Sequence, residues 1–196
     1  SKYNINLYNL YITQGSYLDA LKIIDSIKSQ NLSLIKVDQD RAYILYLIKN
    51  YQDSILQCKE ILIADDNNVH VLNTLGLCFL KLERYDEANK VLLKAISLDN
   101  QNIVILNSLG RLNHELRKSK EAKSFFDKAF ALNPNSFETL NNMAGFYLEE
   151  GKYHQAINFY KKAEKVTANN AVLINNIAKT LMCLHNVDEA EKHCRR

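Results

Sequence analysis

Proline is almost absent from this chain: there is one in 196 residues, alongside five glycines, two methionines and no tryptophan. A fold of many short strands needs frequent turns, and so few turn-forming residues exclude it. No apolar run approaches the length that spans a bilayer, and the N-terminal stretch lacks both a basic start and an unbroken apolar segment. Membrane insertion is therefore not expected. The four cysteines, Cys58, Cys78, Cys183 and Cys194, show no CxxC or other framework spacing. That argues against a disulfide scaffold and for a reducing, cytoplasmic setting. A formal charge of +3 gives no general drive toward nucleic acid or anionic lipid, so no nucleic acid is expected as partner.

What is present is helix-forming and periodic. Hydrophobic residues make up 47% of the chain, and leucine, lysine, glutamate and alanine favour helix. One stretch organises the rest. Residues Asn102 to Pro134 read as a helical hairpin with Leu106, Leu109 and Gly110 on its first helix and Ala122, Phe126 and Ala129 on its second. Shifting by thirty-four residues, without gaps, gives Leu72, Leu75, Gly76, Phe79, Ala88, Leu92 and Ala95 on one side. On the other it gives Leu140, Met143, Ala144, Tyr147, Ala156, Tyr160 and Ala163. The chain thus divides into six units starting at Ser1, Ile35, Val69, Ile103, Phe137 and Ala171, which predicts a single array over residues 1–196 with an incomplete last unit. An array cut there leaves an apolar edge open, so an excerpt of a longer polypeptide and self-association through that edge are both expected.

Small side chains recur at fixed places. The eighth position of the units reads Tyr8, Ala42, Gly76, Gly110, Ala144 and Ala178, small in all but the first, and the twentieth reads Ala20, Ser54, Ala88, Ala122, Ala156 and Ala190, small in all six. Small residues let the two helices of a hairpin approach closely while larger ones at positions four, seven, eleven and twenty-four fill the space around the contact. Between units lie polar junctions such as Asp65-Asp66-Asn67-Asn68 and Asn133-Pro134-Asn135-Ser136, which fit tight turns whose side chains cap the following helix. In the first unit, Gly15 suits the left-handed residue that closes a helix.

This constellation resembles the tetratricopeptide repeat (TPR) family, with leucine or isoleucine in place of the tryptophan at position four and proline kept once, at Pro134. The resemblance implies an all-α fold, a right-handed α-solenoid of six TPR-like helix-turn-helix repeats. Pentatricopeptide arrays have a thirty-five-residue period that would drift out of phase over six units, and no drift occurs.

The resemblance also implies a concave groove that holds peptides, lined by positions two, five, six, nine, twelve and thirteen of each first helix. Position five reads Ile5, Gln39, Asn73, Asn107, Asn141 and Asn175, and position six reads Asn6, Asp40, Thr74, Ser108, Asn142 and Asn176. Side-chain amides in such a ladder donate to and accept from an extended backbone without demanding a sequence. Runs such as Leu106-Asn107-Ser108-Leu109-Gly110 make it similar to the arrays attached to protein O-linked N-acetylglucosamine transferases. The expected peptide-binding residues are Asn73, Asn107, Asn141, Asn175, Ser108, Asn142 and Asn176, with Arg111 and His114 beside them. A carboxylate clamp of the chaperone-binding kind is not expected, because position five carries no lysine and position six no arginine.

Catalytic chemistry has no visible seat. The five glycines are isolated, four of them at turn or contact positions set by the repeat, so no phosphate loop exists. Cys183, His185, His193 and Cys194 do not group at metal-ligand spacing, and Cys58 and Cys194 read as small core fillers. No cofactor or metal is expected. The sequence therefore predicts a noncatalytic interaction scaffold that binds a protein segment. The alternative is the substrate-recognition array of a larger enzyme, such as a glycosyltransferase, whose catalytic part lies outside this chain.

Overall fold

The computed structural model describes residues 2–29, 35–167 and 170–194; side chains at 2–5, 29 and 194 are outside the description. The unit start at Ser1, the groove position of Ile5 and the core assignment of Cys194 therefore lie outside the described residues. Among those described, all regular structure is helical, in twelve helices. They are grouped in two compact units, residues 1–100 and 101–196.

The first unit holds three helical hairpins: α1 (Lys2–Thr13) with α2 (Tyr17–Ser29), α3 (Ile35–Leu47) with α4 (Tyr51–Ala64), and α5 (Val69–Lys81) with α6 (Tyr85–Leu98). The second repeats the plan with α7 (Ile103–Glu115) and α8 (Ser119–Leu132), α9 (Phe137–Glu149) and α10 (Tyr153–Val166), and α11 (Ala171–Cys183) and α12 (Val187–Cys194).

Each hairpin turns in the same way. The residue two places beyond the first helix is left-handed: Gly15 and Gly151 at φ +74° and +71°, and Lys49, Glu83, Arg117 and His185 at φ between 57° and 65°. The next residue then sends its N–H back five positions, as in Lys118 to the Asn113 carbonyl at 2.8 Å and Lys152 to that of Tyr147 at 2.8 Å. This closes the otherwise unpaired carbonyls of the helix end. Polar side chains start the first helix of the next hairpin: Asn68 accepts from Val71 N–H, Asn102 from Val104 and Ile105, Ser136 from Thr139, and Asn170 from Leu173.

Close helix approach holds each hairpin together. A Cβ added to Gly76 would overlap the Leu92 side chain, and one added to Gly110 would overlap the Phe126 ring, so both helices meet only because these residues lack one. Ala88, Ala122, Ala156 and Ala190 are buried in the same way on the second helices. In the first unit Tyr8, Ala20, Ile24, Ile27, Val37 and Ile44 form one core. In the second, Phe126, Leu140, Met143, Phe146, Tyr160, Leu173 and Leu181 belong to another. Its aromatic rings run in a chain, Phe126 to Phe146 at 5.9 Å, Phe146 to Tyr147 at 5.3 Å, and Tyr147 stacked on Phe159 at 5.5 Å. No described helix is long and apolar enough to cross a membrane.

Candidate functional site

A groove of about 520 Å³ in the second unit runs over the first helices of its three hairpins. Its walls carry Arg111, His114 and Glu115 from α7, Asn141, Asn142, Gly145, Phe146 and Glu149 from α9, and Asn176, Lys179 and Cys183 from α11. The floor is aromatic, with Phe126, Phe146 and Tyr160, so polar groups stand on a rigid apolar base. These residues recur one helical turn apart on each helix, which is why one face collects them.

The structure separates the expected ladder into an accessible part and a buried part. Asn141, Asn142 and Asn176 are partly exposed and line the groove, while Asn175 is exposed outside its lining. Asn107 is 0% exposed. Its amide donates to Thr139 Oγ1 at 2.9 Å, and Thr139 in turn donates to Ser136 Oγ at 3.0 Å. Ser108 is also buried, and its hydroxyl donates to the Val104 carbonyl of its own helix at 3.0 Å. The groove position expected for Asn107 and Ser108 is thus corrected: both lie under the surface, where Thr139 and the Val104 carbonyl take up their donors. Asn73, in the first unit, is likewise buried. Burial reaches further round the first helices than spacing alone indicates, with the third positions Val71, Ile105, Thr139 and Leu173 and the tenth positions Cys78, Leu112, Phe146 and Thr180 all in the core.

Electrostatics within the groove are mixed. Arg111 and Lys179 make no close ion pair among the described residues. His114 stands 3.7 Å from a Glu149 carboxylate oxygen and packs edge-on against Phe146 at 5.2 Å. Desolvation raises Glu138 above the ordinary carboxylate range, an effect Arg111 opposes. Burial, with the Glu149 charge nearby, pushes the Tyr160 phenol up to about 12, so it stays neutral at physiological pH. Asn142 Nδ2 is buried without a hydrogen-bond partner, an unsatisfied donor in the groove wall. Repeat spacing puts Gly145 at groove position nine, but it does not single out Phe146, Tyr153 or Tyr160 as groove residues. Only Gly145 leaves a sequence signal, as the glycine outside the repeat's turn and contact positions.

No group of three or more histidine, cysteine or acidic side chains converges among the described residues. Cys183 is exposed, Cys58 and Cys78 are buried, and all three are free thiols.

Tetratricopeptide-repeat family models match residues 69–102, 103–136 and 125–158. Residues 69–158 are tetratricopeptide repeats. Among solved structures, a thermophilic TPR protein from Thermus thermophilus superposes with a TM-score of 0.86 at 17% identity, covering 92% of this chain and 98% of that one. PilF of Pseudomonas aeruginosa gives 0.69 at 22% identity, covering 98% and 87%. MamA from Desulfovibrio magneticus gives 0.62 at 16% identity, covering 84% and 93%. At these identities the likeness establishes the TPR α-solenoid fold alone. No curated protein matches the sequence. Tetratricopeptide repeats are in general protein-interaction modules.

Proposed function

We propose that this chain is a noncatalytic scaffold whose second unit binds an extended protein segment in the groove over α7, α9 and α11. The observation that carries the reading is the convergence of three partly exposed asparagines, Asn141, Asn142 and Asn176, on one groove with an aromatic floor. An extended peptide offers alternating backbone donors and acceptors, and carboxamides can meet both. The unpartnered Asn142 Nδ2 is a further unused donor in the groove wall. Phe146 and Tyr160 hold the α9 backbone in place beneath, so little ordering is required on binding.

The test is an array of short peptides of varied sequence probed with the 196-residue chain. Replacing Asn141 and Asn176 together by alanine removes two side-chain hydrogen-bond partners, so retention should fall about tenfold or more while the melting temperature stays close to that of the parent. Equal retention by parent and double variant, or no retention of any peptide, refutes the reading.

A further inference from the structure

Gly145 sits inside α9, and neither backbone nor packing calls for a glycine there. Its φ is not left-handed, and an added Cβ would meet nothing closer than Tyr160 Oη at 3.9 Å. Gly76 and Gly110 differ, since each faces a side chain that occupies the missing Cβ's place. A glycine in a helix interior is less favourable than alanine, so what Gly145 contributes is open space. That space lies in the groove.

Arg111 and Lys179 hold the same position on α7 and α11 that Gly145 holds on α9, each thirty-four residues away. Both cations line the groove, and neither makes a close ion pair among the described residues, although Arg111 feels the charge of Glu138. One turn before Gly145 come the amides of Asn141 and Asn142; one turn after it comes Glu149, as Glu115 follows Arg111. Charge is therefore layered along the helices, with amides first, cations on either side of an empty place next, and carboxylates last.

We propose that the groove takes an acidic protein segment, seating a carboxylate side chain over Gly145 between Arg111 and Lys179. The proposal rests on the groove being a peptide site and names the chemistry of its ligand. The cradle supplies room for the carboxylate, the two cations supply attraction, and Asn141 and Asn142 hold the adjoining backbone. Glu115, Glu138 and Glu149 bound this positive strip on both sides, which disfavours a long polyanion such as nucleic acid and selects a short acidic motif.

The experiment uses peptides retained on the array, resynthesised with glutamate, glutamine or lysine at each position and titrated against the full chain by fluorescence polarisation. At one position glutamate should bind more tightly than glutamine. Arg111→Gln and Lys179→Gln should each reduce that preference about threefold, as expected for partly exposed charge pairs. Gly145→Gln should fill the cradle and abolish the preference, with a melting temperature equal to or above the parent's. Peptides that bind with no glutamate preference, or a preference untouched by all three substitutions, overturn the proposal and leave the peptide site standing. An array that retains nothing overturns both.

Discussion

Asn107 donates its amide to Thr139 Oγ1 at 2.9 Å, tying α7 to α9 beneath the surface of the second unit. Asn107 Oδ1 is buried without a partner, whereas Thr139 Oγ1 also bonds Ser136. The two ends of this bond are therefore unequal. Asn107→Ala removes an orphaned oxygen together with the bond, and Thr139 keeps Ser136, so the loss should be about 1 kcal/mol. Thr139→Val strands the whole buried carboxamide and should cost more, about 2 kcal/mol. Urea unfolding of both variants checks the order. A larger loss for Asn107→Ala would show that the bond is not the feature holding these helices together.

Two glycines on neighbouring helices should respond to alanine with opposite signs. At Gly110 a Cβ falls inside the Phe126 ring, which is itself buried, so α7 and α8 must part and the expected loss is about 1 kcal/mol after the gain in helix propensity. At Gly145 the Cβ meets only Tyr160 Oη at 3.9 Å, so propensity dominates and stability should rise by about 0.5 to 1 kcal/mol. Thermal melts of the two variants side by side decide this, and a shared sign would contradict the packing described.

Those two positions also show what the sequence could convey. Gly110 recurs in register with Gly76, Ala144 and Ala178, and a period of small residues marks a helix contact without any knowledge of its surroundings. The asparagines recur as regularly, but their fate depends on what the next hairpin brings over them. Thr139 and the α9 N-terminus cover Asn107 completely, whereas Asn175, on the last hairpin of the unit, stays exposed. Periodicity encodes the direction of a side chain on its own helix; depth is set by neighbours. The repeat sets Arg111 and Lys179 in register with Gly145, but the open space above that glycine is visible only in the structure, because it depends on how far Tyr160 stands from it.

Thiol chemistry should divide the cysteines sharply. Burial pushes Cys58 up to about 12 and Cys78 up to about 11, and the Cys78 thiol donates to Ser54 Oγ at 3.1 Å while Ser54 donates to the Ala42 carbonyl at 2.7 Å. Both sulfurs lie in the core as neutral thiols, which are poor nucleophiles. Cys183 is exposed at the groove edge. Under native conditions iodoacetamide should label Cys183, and labelling of Cys58 and Cys78 should appear only as denaturant unfolds the first unit, in step with loss of helical circular dichroism. Peptide mapping by mass spectrometry reads each site, and native labelling of Cys58 at the rate of Cys183 would contradict its burial.

The last expectation concerns Asp40, which accepts a hydrogen bond from the fully buried Tyr8 hydroxyl at 2.9 Å. Desolvation raises its carboxyl above the usual 3.8, and the bond from Tyr8 with the charges of Lys36 and His70 only partly offsets this. The folded chain therefore holds the Asp40 proton more tightly than the unfolded chain does. Its contribution favours folding below the ordinary carboxylate range and is lost as pH rises through the raised value. Asp40→Asn keeps an oxygen to accept from Tyr8 and removes the charge, so at neutral pH the variant should melt at the parent's temperature or above it. That advantage should shrink as pH falls through the raised value, where the parent carboxyl is itself becoming protonated. Melting both proteins across this range isolates the Asp40 contribution, because every other titrating group is common to the pair. An advantage that grew on acidification would mean that the attraction of Lys36 and His70 outweighs burial, with the carboxylate as the form the fold prefers.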